Sequence, residues 1–290
     1  YSLATPIKIT NDLMYSTTVK HLSQNDIYRT RITAPGLDEM IHIVSFIDAE
    51  TARIDSLIAD YESLITLLRE ERQAVISHAV TKGLNPDVPM KDSGIEWLGE
   101  VPEHWDVKAI KWETMVQRGA SPRPIENPIY FDDDGDYSWV RISDVTASKT
   151  YLRETEQKLS ELGSNLSVKL EPGALFLSIA GSVGKPCITK IKCCIHDGFV
   201  WFPKWKNSFK YLYFIFESGQ PYQGLGKMGT QLNLNTDTVG SIKIGMPPLS
   251  EQQAIAAFLD AETARIDSLI ADAEKAIDLL RESRIAVISD

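Results

Sequence analysis

The thirteen residues DAETARIDSLIAD stand at Asp48–Asp60 and again, letter for letter, at Asp260–Asp272. The identity extends beyond them: Phe46–Ser77 and Phe258–Ser289 agree at 25 of 32 positions. In the first copy Ile47, Ile54, Tyr61, Leu68 and Val75 recur every seven residues, flanked by Leu57 and Leu64 and by Ile58 and Ile65. The second copy repeats this with Leu259, Ile266, Ala273, Leu280 and Val287, flanked by Leu269, Ile270, Ala276 and Ile277. An apolar stripe of that width and period predicts a long helix with a coiled-coil seam. Neither copy contains Gly or Pro, and 32 helical residues span about 50 Å. The first helix is expected to end at TKGLNP, where Gly83 can cap it and Pro86 blocks continuation. Packing constrains only the stripe. Identity at Glu50, Thr51, Arg53, Asp55 and Ser56 as well points to a surface used twice, by two copies of one partner or by a pseudo-two-fold arrangement within the chain.

The repeat reaches upstream, where APGLDEMIHIVSFID (Ala34–Asp48) aligns with MPPLSEQQAIAAFLD (Met246–Asp260). The chain therefore reads as a duplicated module of domain plus helix. Residues 1–35 are expected to be the tail of a first domain, 36–83 the first helix and 84–104 a linker. Residues 105–248 form a complete second domain, and 249–290 the second helix. The chain opens at Tyr1 in strand-like sequence, which we read as a cut or processed start.

Composition is that of a globular protein, 43% apolar and 24% charged. No run of 18 apolar residues predicts a membrane span and no basic-then-apolar leader opens the chain. Cys187, Cys193 and Cys194 fit neither a disulfide framework nor zinc-ligand spacing, and are expected to be reduced core residues of a cytoplasmic protein. The net charge of −10 argues against a polyanionic partner until its distribution is considered. Residues 36–104 carry 5 basic and 14 acidic side chains and residues 247–290 carry 4 and 9, whereas residues 105–246 carry 17 and 15. The acid lies with the repeated helices, and the segment between them can present a basic face.

That segment predicts an α+β domain. YSWVRISDV (Tyr137–Val145), GALFLSIAGSVGK (Gly173–Lys185), CCIHDGFVWF (Cys193–Phe202) and SIKIGMP (Ser241–Pro247) read as strands with turns. KYLYFIFES (Lys210–Ser218) reads as a short buried helix. Trp97, Leu98, Val101, Pro102 and Trp105 are expected to wrap the entry without a regular element. Three motifs resemble chemistry that their sequence context does not support. GSVGKP (Gly181–Pro186) has two residues between its glycines and Pro after Lys, where a phosphate loop needs four and then Ser or Thr. NPIY (Asn127–Tyr130) resembles an adenine methyltransferase loop, but no glycine-rich cofactor turn precedes it. FDDDGD (Phe131–Asp136) lacks the distal Glu of a calcium loop and reads as a solvated turn. His196–Asp197 with Ser178 or Ser182 lacks a nucleophile elbow.

No catalytic constellation stands out, and no cofactor or metal site is expected in this chain. The turns hold Arg118, Ser121 and Arg123, then Ser182 and Lys185, then Lys227, Thr230 and Gln231. Singly each is a solvated loop residue; as a set they are the types that grip phosphate and read base edges.

The entry GIEWLGEVPEHW, the exit PPLSEQQAIAAFLD and the duplicated helix together resemble the specificity subunit of type I restriction–modification systems, over essentially the whole chain. The resemblance implies two target recognition domains, each reading one half of a bipartite double-stranded DNA site. Their long helices would pack as an antiparallel coiled coil and dock two methyltransferase subunits, to which restriction subunits add. It also implies that this chain is non-catalytic, with S-adenosylmethionine, ATP and magnesium belonging to those other subunits. Arg53, Asp55, Arg265 and Asp267 on the repeated surface are the expected partner contacts; the alternative is that they are solvated charges or pair with one another across the helices. Residues 1–35 read as only the last strands of a first recognition domain; a natively short chain is expected to dimerise to restore two domains, and a fragment to report only one half-site. The competing readings are a coiled-coil scaffold without DNA binding, and a free-standing methyltransferase or nuclease built on NPIY.

Overall fold

A computed structural model describes Tyr28, residues 35–222 and residues 234–289. The segment read as the tail of a first domain lies almost wholly outside the described residues. The helices are α1 (Leu37–Lys82), α2 (Ile110–Glu113), α3 (Ile142–Ala147), α4 (Glu161–Asn165), α5 (Phe209–Glu217), α6 (Thr236–Ser241) and α7 (Leu249–Ser289). The strands are β1 (Met90–Asp92), β2 (Glu100–Pro102), β3 (Asp106–Ala109), β4 (Gln117–Arg118), β5 (Tyr137–Val140), β6 (Tyr151–Leu152) and β7 (Gln157–Leu159). They continue with β8 (Val168–Leu170), β9 (Leu175–Ser178), β10 (Pro186–Thr189), β11 (Cys193–Ile195), β12 (Phe199–Trp201) and β13 (Lys243–Met246). The fold is α+β. No helix among the described residues is long and apolar enough to cross a membrane. The chain divides into two compact units, Tyr1–Glu70 with Ala264–Asp290, and Glu71–Thr263.

In the first unit α1 and α7 run antiparallel. Asp55 pairs with Arg284 at 2.8 Å, Glu62 with Arg281 at 3.6 Å and Arg69 with Glu274 at 3.4 Å, so the numbering rises along one helix as it falls along the other. Glu62 and Glu274 are equivalent positions of the repeat, as are Arg69 and Arg281. The last two bridges are therefore one interaction made twice about a local pseudo-two-fold. Ile65 lies at its centre with Ala273 and Ile277, flanked by Ile58, Tyr61 and Ile270. The paired side chains are 41–64% exposed, which places these bridges among surface pairs contributing about 0–1 kcal/mol each. The apolar seam holds the helices together. Replacing both Glu62 and Glu274 by Gln removes two such pairs and should lower stability by less than about 2 kcal/mol. Ile65→Ala, at a site 6% exposed, should cost about 2–4 kcal/mol, compared by urea unfolding.

In the second unit a five-stranded sheet (β4-β12-β9-β10-β6) stacks on a four-stranded one (β7-β5-β11-β8). Successive side chains of a strand face opposite sides. Leu175 and Leu177 of β9 enter a core with α5, β13 and the adjoining turns of α1 and α7, while Phe176 enters the core between the sheets with Val140, Cys193, Ile195 and Phe199. Both faces of β9 are covered, which explains a strand with no polar alternation. The adjacent cysteines separate for the same reason. Cys193 faces the inter-sheet core and Cys194 the outer cluster with Trp139 and Leu159. Burial pushes the Cys187 and Cys193 thiols up to about 12 and Cys194 to about 11.

Two local readings change. The stretch Tyr137–Val145 is a strand only to Val140; the Asp144 carboxylate then accepts the Arg141 N–H at 2.7 Å and starts α3. The entry segment does form a regular element, since Glu100–Pro102 pairs antiparallel with Met90–Asp92. KYLYFIFES is a buried helix, with Tyr211 through Phe216 all enclosed.

Trp105 fixes the junction. Its ring is fully buried and its Nε1–H donates to Glu251 Oε1 at 3.0 Å, in the first turn of α7. His104 Nε2 lies 2.8 Å from the other oxygen. Helix α1 stops beside it at Gly83, whose N–H donates to Ala79 O at a φ of 75°. Gly245 of β13 presses its backbone on the same ring, leaving a Cβ only 2.8 Å from Trp105 Cε3. The buried Tyr211 hydroxyl lies 3.0 Å from Gly245 O and 3.3 Å from Val80 O, tying α5 to both neighbours. Arg72–Glu217 at 3.1 Å and Lys210–Asp260 at 2.8 Å add charged ties from α5 to α1 and α7. Trp105→Ala should destabilise by about 3–5 kcal/mol. Gly245→Ala, which adds one methyl, should cost about 1–3 kcal/mol by overpacking; both are read from denaturation midpoints.

Candidate nucleic-acid interface

Sheet register gathers several turns at one end of the second unit. Strands β5 and β11 are parallel, with Ile195 opposite Val140, so their C-terminal ends lie together. Strand β9 runs antiparallel to β12, which brings Ser178 opposite Phe199. The turn His196–Gly198, the start of α3 and the turn after β9 therefore converge. Ile179 N–H donates to Gly198 O at 2.8 Å and sews the last of these to the first.

The loop after β4 joins them. Gly119 N–H donates to Phe199 O and Ala120 N–H to Ile195 O. Any side chain at Gly119 would collide with the backbone of residues 195–196, since its Cβ would lie 2.2 Å from His196 O. Asp197 then organises the cations. Its carboxylate accepts from Ser121 Oγ at 2.8 Å and from Arg123 Nη2 at 3.0 Å, and its backbone carbonyl accepts from Arg118 Nε. The Ser121 hydroxyl, with the Asp197 backbone N–H and the Arg123 and Arg118 charges, holds this carboxyl below the ordinary aspartate value, against an opposing effect of burial. His196 faces inward. Its Nδ1 accepts the Gly198 N–H at 2.8 Å, its ring packs on Phe199 and Trp139, and burial lowers its pKa.

The GSVGK turn is closed from within. Ser178 Oγ accepts the Lys185 N–H at 3.0 Å and donates to Ser182 O. Ser182 Oγ lies 3.2 Å from Thr146 Oγ1, and Lys185 Nζ donates to Thr146 O at 2.9 Å. The Tyr222 ring lies against Gly184 and its hydroxyl donates to Gly184 O. Arg141 stands at the end of β5, paired with Glu156 at 3.2 Å and Gln157.

The structure thus brings Arg118, Ser121, Arg123, Ser182 and Lys185 to one end. Lys227, Thr230 and Gln231 lie outside the described residues. Sequence reasoning missed Arg141 and the part played by Asp197, which it met only as a triad member without support. The Asp-Gly turn between two strand-like runs was the available signal. On the repeated helices, Arg53 bonds Glu50 at 2.9 Å and Asp55 bonds Arg284; Arg265 and Asp267 are also engaged with neighbours.

The motifs with other associations have structural work. Asn127 Oδ1 accepts the Ile129 N–H and Tyr130 OH donates to Arg123 O, so NPIY braces the Arg123 loop. In FDDDGD, Asp132 Oδ1 accepts the Asp134 N–H. Among the described residues no group of three or more His, Cys, Asp or Glu could hold a metal ion.

Residues 102–277 match the type I restriction modification DNA specificity domain. The chain is 24% identical over 288 residues to the type I restriction enzyme MjaVIII specificity subunit of Methanocaldococcus jannaschii, covering 93% of this chain and 63% of that protein. It is 26% identical over 192 residues to the MjaIX specificity subunit of the same organism, covering 64% and 43%. The chain thus spans less than two thirds of the length of each relative. Among solved structures it aligns with a chain from "Structural basis underlying complex assembly and conformational transition of the type I R-M system" at a TM-score of 0.76 and 19% identity, covering 97% of this chain and 66% of that one. The HsdS subunit from Thermoanaerobacter tengcongensis aligns at 0.57 and 17% identity, covering 97% and 65%. These structural likenesses are of fold. The sequence match covers more than half of the chain, from β2 into the second repeated helix, and on it the chain belongs to the type I restriction modification DNA specificity family.

Proposed function

We propose that this chain reads one half of a bipartite double-stranded DNA target through the end that carries Arg118, Ser121, Arg123, Ser182 and Lys185. The convergence of these residues, from segments up to 67 positions apart, is the observation that carries the reading. Guanidinium groups can read guanine edges in bidentate fashion, and a lysine ammonium holds phosphate. Lys227, Thr230 and Gln231 are assigned to the same surface from sequence. The chain has no catalytic role of its own; S-adenosylmethionine, ATP and magnesium are assigned to partner subunits.

The repeated helices dock two methyltransferase subunits, with restriction subunits joining that core. Support comes from comparing two heptad rows. Phe46, Arg53, Asp60 and Leu67 are identical to Phe258, Arg265, Asp272 and Leu279. The adjacent buried row differs at Ile47/Leu259 and Tyr61/Ala273. The row kept unchanged is exposed, with Phe46 at 62%, Leu67 at 62%, Phe258 at 43% and Leu279 at 58%. Solvent alone gives no reason to keep Phe and Leu there.

Co-purification with a methyltransferase subunit, followed by selection of bound duplexes from a random library at two salt concentrations, tests the DNA reading. A recovered motif is expected; a stable complex that selects none would sink it. Arg118→Ala and Arg123→Ala should each lose about 1–3 kcal/mol of discrimination at one position. Lys185→Ala should weaken all duplexes alike and reduce the salt slope by about one. For docking, Leu67→Glu should reduce the bound methyltransferase copies from two to one, and adding Leu279→Glu should remove both. Light scattering of the purified complexes reads the number, and an unchanged mass would exclude this face.

A further inference from the structure

We propose that Asp197 is a positioning residue that makes recognition selective: its carboxylate stands where a DNA phosphate would accept from Ser121 and Arg123, and so competes with indiscriminate backbone binding. The inference rests on reading this end of the domain as the DNA interface.

Three features of the site lead to it. The donors converge on one oxyanion, with Ser121 Oγ on Oδ1 and Arg123 Nη2 on Oδ2 at 2.8 and 3.0 Å. A carboxylate and a phosphate offer a guanidinium the same paired acceptors. The acceptor is also anchored while a donor stands in solvent. The turn bearing Asp197 is fixed by Phe199 N–H to His196 O, Gly198 N–H to His196 Nδ1 and Ile179 N–H to Gly198 O. Arg123, by contrast, is 73% exposed on a long side chain. Finally, the pair is open to solvent, with Asp197 41% exposed, so an arriving duplex can reach both partners.

Exposed ion pairs are weak. Such a pair cannot block a duplex that adds base contacts, but it lowers the gain from one that offers phosphate alone. Arg123 bonds the Asp197 carboxylate and Arg118 its backbone carbonyl, and the carboxylate's charge bears on both guanidinium groups. Neutralising the carboxylate leaves one more cation for the backbone, and each phosphate contact steepens the dependence of affinity on salt by about one unit of log–log slope.

The test uses the full chain in the assembly from which a preferred duplex is selected, with that duplex and a scrambled one as probes. Asp197→Asn keeps the shape and removes the charge. It should tighten binding of the scrambled duplex by up to about fivefold, steepen its salt slope by about one and narrow the ratio between the duplexes. Asp197→Glu should keep the wild-type slope. In an Arg123→Ala background the effect of Asp197→Asn should shrink, because the two groups act as a pair. Equal weakening of both duplexes by Asp197→Asn, with an unchanged slope, would mean that Asp197 only supports the loop and would overturn the proposal. An unchanged ratio would do the same. If the wild-type assembly selects no preferred duplex in the first place, the DNA reading itself fails, which is a different result.

Discussion

The carboxylate of Glu251 is the point on which the second unit turns. A buried indole must place its N–H on an acceptor, and Glu251 supplies one while its other oxygen meets His104. A carboxylate at this position also faces the positive end of α7, so the helix stabilises the charge that holds the ring. With Trp105 fixed, the last turn of α1 must end against it and β13 must pass with no side chain in the way. Tyr211 then completes the joint by bonding backbone carbonyls of α1 and β13, one of them a carbonyl in the last turn of α1. The sheets hang from α5 and β13, and the turns of the candidate site hang from the sheets.

How much of this a sequence reveals depends on whether the deciding interaction is local. The seven-residue period of the long helices is a property of neighbours on one helix and was legible, although Leu64 and Leu269, read as flanking the seam, are exposed. The buried helix at Phe209–Glu217 and the strand at Lys243–Met246 were legible for the same reason. The boundary at Arg141 was not, because a single carboxylate three residues on converts strand into helix. The pairing of Glu100–Pro102 with Met90–Asp92 was hidden by Pro and Gly that read as loop. At the candidate site the turn residues could be named, but not the group that gathers them. Asp197 meets Ser121 and Arg123 only because β12 pairs with β4, a contact across some eighty residues that leaves no mark in local composition.

The duplication carries a second lesson. Where α1 and α7 meet, the copies tolerate Tyr61 against Ala273, since what matters at a seam is total volume and not identity. On the outward heptad row they tolerate nothing, down to an exposed Phe and an exposed Leu. The glutamate–arginine bridges made twice about the pseudo-two-fold contribute little stability, but they set the register in which the two outward rows present the same side chains.

The strands β9, β10 and β11 are buried on both faces, and the turns they carry are closed by hydrogen bonds of their own. The Ser182 and Arg123 side chains, by contrast, bond other side chains, so exchanging them opens neither core and unpairs no backbone group through those contacts. Such a domain can change what its turn tips present through substitutions that are nearly silent in folding. That separation lets new surfaces arise on an unaltered frame.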